Sequence, residues 1–201
     1  MLTRTYIVAV LAITVFTAAL GFLLWNSEEE RIIDNDDYYC SGWCRGPQDA
    51  PVVIDSFTDF ECNLCVEKEA LATRAIELYE GQILQDFHHF PNSEFSYKIA
   101  EALEAAGDQG KFWELHYRLV TNTPDDLPSL YQIASEIELD MEKFNLALES
   151  GQYREKVEKA KEEAKATGIE YVGMFVNGKE YKGYPGNIEN LARMIDKELH
   201  K

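Results

Sequence analysis

Cys62 and Cys65, separated by two residues, join a short β-branched run to a long helical stretch, and this junction constrains the fold more than any other feature. Val52-Val53-Ile54, bounded by Pro51, reads as a buried strand running to Phe57. The stretch from Val66 to Tyr79 has helical character and ends near Gly81, a residue suited to a C-cap. A strand that hands a Cys-x-x-Cys to the first turn of a helix is a redox arrangement. Backbone N–H groups at the helix start stabilise a thiolate, which acidifies the first cysteine. The second lies on the same helical face and can close a disulfide with it.

Downstream, Gln82 to Phe90 has strand character and stops at Pro91, and Ser93 then suits an N-cap. Four apolar faces follow at helical spacing: Phe95 to Ala106, Phe112 to Val120, Leu130 to Ile137, and Phe144 to Leu148. A Lys/Glu-rich helix spans Tyr153 to Ala166, its charges reading as a solvated face. Met174-Phe175-Val176 and Glu180-Tyr181-Lys182 flank Asn177-Gly178, a strong hairpin signal. Asn187 can cap a last helix from Ile188 to Leu199.

The N-terminal part has a different character. Tyr6 to Trp25 is a 20-residue run without a charge, about 30 Å as a helix, with aromatic residues at both ends. Arg4 precedes it and Glu28-Glu29-Glu30 follow, which orients the short N-terminus to the cytoplasm and the remainder outside. The rival reading is a cleaved signal peptide with Thr17-Ala18-Ala19 as a poor cleavage site. The apolar sequence continues past that site to Trp25, and this favours an anchor over residues 1–25. Residues 26–46 are polar and acidic at first and read as an extracytoplasmic tether carrying Cys40 and Cys44. In either case the domain is exported, where cysteines form lasting disulfides. The net charge of −17 excludes a nucleic-acid role, because phosphate binding needs a basic surface.

Several segments together resemble the DsbA-like branch of the thioredoxin superfamily. Thr58-Asp59-Phe60-Glu61-Cys62-Asn63-Leu64-Cys65 is similar to that family's (S/T)DFxCxxC signature. His88-His89-Phe90-Pro91 resembles its (R/H)xFP segment, and Gly110 to His116 its QGKFWxxH helix. Met174 to Lys179 resembles its late hairpin, and the likeness runs from about Gly46 to the C-terminus. The resemblance implies an α/β thioredoxin-like fold over residues 47–201 with an α-helical insertion at about 93–168. It also implies thiol–disulfide oxidoreductase activity on exported proteins, with Cys62 attacking and Cys65 resolving, and no organic cofactor. The implied partner is a membrane oxidase of the DsbB or vitamin-K-epoxide-reductase type, or a membrane reductase.

Two positions depart from the family. Val172, in the substrate-facing loop with Tyr171, stands where the family has a cis-proline; no proline occurs between Pro128 and Pro185. A cis bond before valine costs roughly 3 kcal/mol, so a trans bond and a reshaped loop are expected. Ser56 stands where many relatives carry a buried glutamate, and Asp55 points to the opposite face of the strand. Cys40 and Cys44 are most simply an auxiliary local disulfide. The order C-x3-C-x17-C-x2-C leaves a second reading open, a binding module holding zinc or copper(I) on Cys40, Cys44, Cys62 and Cys65. His88 and His89 alternate across their strand, so one packs while the other faces solvent, and His116 reads as a core residue.

Overall fold

The computed structural model describes residues 40–201; the apolar run from Tyr6 to Trp25 and the tether up to residue 39 lie outside them. Among the described residues no helix is long and apolar enough to cross a membrane.

Strand β1 (Trp43–Arg45) is followed by β2 (Val52–Thr58), helix α1 (Asn63–Leu78) and β3 (Ile83–His89). Five helices come next: α2 (Glu94–Gly107), α3 (Phe112–Thr121), α4 (Leu127–Ser135), α5 (Met141–Ser150) and α6 (Arg154–Ala166). The chain closes with β4 (Gly173–Val176), β5 (Lys179–Glu180) and α7 (Ile188–Leu199). The sheet order is β1-β3-β2-β4-β5. β2 and β3 are parallel, with α1 as their crossover, and the other pairings are antiparallel.

All seven residues of β2 are buried, as its place at the centre of the sheet requires. Val52, Ile54 and Ile83 pack under Leu71 and Ala75 of α1 and Leu191 and Ile195 of α7. Val53 and Leu84 face the other way, against Ala50 and Cys44. The helical insertion has its own core, built from Ile99, Leu103, Leu115, Leu119, Leu130 and Phe144. That core continues into Phe87 of β3 and into Phe60 and Val66, which flank the Cys62–Cys65 segment. The insertion therefore forms one wall of the dithiol's surroundings.

Asn177 and Gly178 both adopt positive φ, the geometry of a two-residue hairpin, and Asn177 accepts a hydrogen bond from Val53 N at 2.7 Å. Ser93 caps α2 in a capping box with Ser96, and Asn187 caps α7.

Two expectations need correction. The sequence assigns residues up to 46 to a tether, yet Trp43–Arg45 is an edge strand that pairs with Gln85 to Phe87 of β3. Gly42 and Gly46 flank it, and a Cβ at either would lie 2.2 Å from a β3 carbonyl oxygen, so only glycine lets the strand approach. The charged face of α6 is not wholly solvated either: Lys161 is 9 % exposed and donates to Pro91 O and Asn92 Oδ1.

Candidate functional site

The loop between β2 and α1 is held before its cysteines are considered. Asp59, 6 % exposed, accepts hydrogen bonds from Glu61 N at 2.9 Å and from Asn92 N at 3.0 Å. Glu61 accepts from Ser96 N at 3.0 Å and from the Ser93 hydroxyl, at the start of α2. The sequence Asp-Phe-Glu thus anchors the turn to the helical insertion at both acidic residues, with Phe60 buried between them.

Cys62 is the N-cap of α1, in extended conformation, and its Sγ accepts from Cys65 N at 3.2 Å. Helix α1 begins at Asn63, three residues before the helical stretch read from the sequence, because the cysteine does the capping. Cys62 and Cys65 form a disulfide with Cα atoms 5.2 Å apart. Their exposures differ: Cys62 is half-buried, while Cys65 is buried at 5 %. A thiol on another protein can reach the first sulfur and not the second. A thiolate on Cys62 would lie at the positive end of the α1 dipole, which lowers its pKa.

Beneath the pair lies a carboxylate that the sequence reading did not single out. Glu69, fully buried, sits four residues after Cys65 on the same helical face. It accepts from Thr58 Oγ1 at 2.6 Å, Gln85 Nε2 at 2.9 Å and His116 Nε2 at 3.2 Å. Ser56 carries no charge, but its hydroxyl joins this network through Gln85 Nε2 at 3.3 Å. A buried acid is therefore present below the dithiol, supplied by α1 rather than by β2. The available signal was a glutamate on the same face as Cys65, Val66 and Ala72, where the helix is otherwise apolar.

Burial opposes ionisation of Glu69, but the hydrogen bonds from His116 and Thr58 outweigh it and hold the carboxyl below its ordinary range. Burial pushes the His116 imidazole down. His116 Nδ1 has no hydrogen-bond partner among the described residues, which suits the neutral ring with its proton on Nε2, since a protonated ring would bury an orphan N–H. Arg45 of β1 donates to Gln85 Oε1 at 2.8 Å and stacks on Trp113 at 4.4 Å, bringing a positive charge to the far side of the network.

A cavity of about 30 Å³ opens between Cys65, Glu69, Ser56, Thr58, Leu64 and Val172. That is room for one or two waters, in a lining that is mostly apolar. Val172 is half-buried at this cavity and Tyr171 is 56 % exposed. The described residues contain no cis peptide, so the bond before Val172 is trans.

Cys40 and Cys44 form the second disulfide, and no cysteine is free among the described residues. Cys44 lies level with Asp86 of β3, which lies level with Asp55 of β2. Two strand spacings, about 10 Å, separate it from β2, and the loop to Cys62 begins a further three residues along. The four sulfurs do not converge, so a single four-thiolate centre is not formed. His89 is buried and bonds Glu104 at 3.1 Å, while half-buried His88 stacks on Phe57.

With this geometry in view, comparison with known proteins is direct. A family model described as Thioredoxin matches residues 41–197. The chain belongs to that family. Solved thioredoxin-fold structures align over most of their length. Oxidised BdbD from Bacillus subtilis gives a TM-score of 0.69 at 22 % identity, covering 79 % of this chain and 92 % of that one. DsbA from Chlamydia trachomatis gives 0.69 at 16 % identity, covering 81 % and 94 %. At these identities the likeness concerns the fold. Among curated relatives, Na(+)/H(+) antiporter NhaA 3 of Salinispora tropica is 30 % identical over 156 residues, 75 % of this chain and 24 % of that protein. NhaA 1 of Mycolicibacterium gilvum is 28 % identical, covering 94 % of this chain and 33 % of that protein. The chain thus spans about a quarter to a third of the curated relatives it matches. The family model begins at residue 41, within the Cys40–Cys44 loop, so this thioredoxin domain includes β1.

Proposed function

We propose that this thioredoxin-family chain is a protein thiol–disulfide oxidoreductase of the DsbA type, held on the outer side of a membrane by its N-terminal apolar run. The observation that carries the reading is the asymmetry of the dithiol: a half-exposed, helix-capping Cys62 is bonded to a buried Cys65 that stands over an ionised glutamate. For oxidation, a substrate thiolate attacks Cys62 Sγ and the Cys62–Cys65 bond breaks, with Cys65 leaving as a thiolate. A second substrate thiolate then attacks the substrate sulfur of the mixed disulfide, and Cys62 leaves. The substrate gains a disulfide and the enzyme ends as a dithiol.

In the reverse direction Cys65 must lose its proton before it can release the substrate. That proton leaves by the cavity beside Cys65, and Glu69, kept ionised by its three donors, does not take it up. Tyr171 and Val172 form the substrate-facing loop, reshaped by the missing proline. Substrates are exported proteins, and the membrane partner is an oxidase of the DsbB or vitamin-K-epoxide-reductase type or a membrane reductase. The antiporter activity in the relatives' names is not carried to this chain, which matches too little of them. The domain reading proposed is residues 1–25 as anchor, an acidic tether from residue 26, and the thioredoxin domain to residue 201, with Trp43–Arg45 moved from the tether to the domain.

Oxidative refolding of a reduced, disulfide-containing protein and turbidimetric insulin reduction test the activity. Cys62→Ser should abolish both, whereas Cys65→Ser should trap the mixed disulfide. An intact protein inactive in both assays would overturn the reading.

A further inference from the structure

The face of the sheet turned away from Glu69 carries an unusual set of side chains. Cys44, Asp86 and Asp55 stand level on three adjacent strands, and His88 follows two residues after Asp86 on the same face. Two groups of ligating atoms meet there, Cys40 with Cys44 and Asp86, and Asp55 with Asp86 and His88, the atoms of each within 4.8 Å of one another. Asp86 is common to both. It is fully buried, its two oxygens accepting from Ser41 N and Gly42 N at 2.9 Å, and His88 Nε2 lies 3.5 Å from Oδ2. Ser41 Oγ also donates to Oδ2, at 3.3 Å; these bonds fix the Cys40–Cys44 loop over the carboxylate, and a metal ion would take the place of that long hydroxyl bond.

We propose that this sheet edge is a zinc site opened by reduction of the Cys40–Cys44 disulfide, with Cys40, Cys44, Asp86 and His88 as ligands and Asp55 beside them. The inference goes beyond the oxidoreductase reading and does not depend on it. Two thiolates, an imidazole and a carboxylate form a four-donor set that zinc accepts as a tetrahedron, and a C-x3-C loop lies within the spacing of structural zinc sites. In such a tetrahedron the sulfurs are about 3.7 Å apart, beyond bonding distance, so the disulfide and the metal are mutually exclusive occupants. A dithiol donor opens the bond by exchange: it becomes a disulfide, and Cys40 and Cys44 take up two electrons and two protons. Zinc then displaces those two protons as it binds the thiolates. Asp86 and the Ser41 and Gly42 amides hold the loop in place, so the ligands start near one another and the cost of ordering them is small. Cys40, Cys44 and His88 are all partly exposed, which gives the ion a path in.

The test uses the full chain carrying Cys62→Ser and Cys65→Ser, which removes the other dithiol, reduced with a dithiol reagent and titrated with cobalt(II). The expected result is a sulfur-to-cobalt charge-transfer band with the intense d–d bands of a tetrahedral site, saturating at one ion per chain and displaced by zinc. The oxidised protein should show neither band, and adding Cys40→Ser and Cys44→Ser should abolish them. His88→Ala, at a half-buried position, and Asp86→Asn should each shift the d–d bands and weaken binding by at least about tenfold. Circular dichroism establishes that each variant is folded. Absence of the bands in the reduced protein overturns the proposal. So do bands that both folded variants leave unchanged, because cobalt would then rest on a loose dithiol alone.

Discussion

Three donors converge on Glu69, and a protonated carboxyl there would turn one of those hydrogen bonds into a clash of two donors. The anion is therefore the state that the surroundings favour, and its charge stands beneath the dithiol. A fixed negative charge disfavours thiolates, so Glu69 works against the α1 dipole and makes the pair a weaker oxidant. Glu69→Gln should lower the Cys62 thiol pKa and raise the Cys62–Cys65 potential by on the order of 30 mV, the equivalent of about 1.4 kcal/mol. Equilibration with glutathione measures this, and an unchanged or lowered potential would remove Glu69 from the redox site. The same substitution sets an amide donor against Thr58 or Gln85 and should cost about 1–3 kcal/mol of stability. With that charge gone the Cys65 thiolate forms more readily, so release of a trapped substrate should quicken in the reductive direction.

Secondary structure was legible wherever one short stretch carried the whole signal. Periodicity marked α2 to α5, Lys/Glu-rich composition marked α6, Ser93 and Asn187 marked helix starts, and Asn177-Gly178 marked the hairpin. β1 gave no such signal, because three residues, Trp-Cys-Arg, cannot show alternation. What makes them a strand is distant in sequence: pairing with β3, Trp43 stacked on Phe112 at 4.1 Å, and its indole N–H donated to Glu104 at 2.8 Å. Gly107 at the end of α2 is part of that dock, since a Cβ there would lie 2.3 Å from the Trp43 ring. Gly107→Ala should therefore expel the indole and cost about 1–3 kcal/mol by overpacking, despite the higher helix propensity of alanine. Amide hydrogen exchange should quicken in residues 43–45 while α1 is unaffected. Unchanged protection in that strand would show that Trp43 does not hold it.

At the scale of the molecule, the dithiol was readable from the eight consecutive residues Thr58 to Cys65, whereas the network below it draws on β1, β2, α1, β3 and α3 and only the fold assembles it. Such a network also sets how the domain meets acid. The unfolded chain takes up a proton on His116 near pH 6.5, while the folded chain, with that imidazole pushed down by burial, does not. Stability is therefore full above pH 6.5 and begins to fall below it. Glu69 and Glu104 add to the loss from about pH 4.5 downward, since both carboxyls are held below their ordinary range. Burial opposes ionisation of Glu104, but bonds from His89, Lys156 and Trp43 bring it to about 2. At 1.36 kcal/mol per pH unit, that span represents about 3 kcal/mol, present above pH 4.5 and lost as pH falls toward 2. Denaturant midpoints at pH 7.5, 5.5 and 3.5 should fall in two stages, a shallow one and then a steep one. His116→Asn should remove the first stage and leave the second, while Glu104→Gln should flatten the second. A midpoint that holds level from pH 7.5 to 5.5 in the unaltered protein would mean that His116 takes up its proton in the fold after all, and the neutral donor to Glu69 would have to be given up.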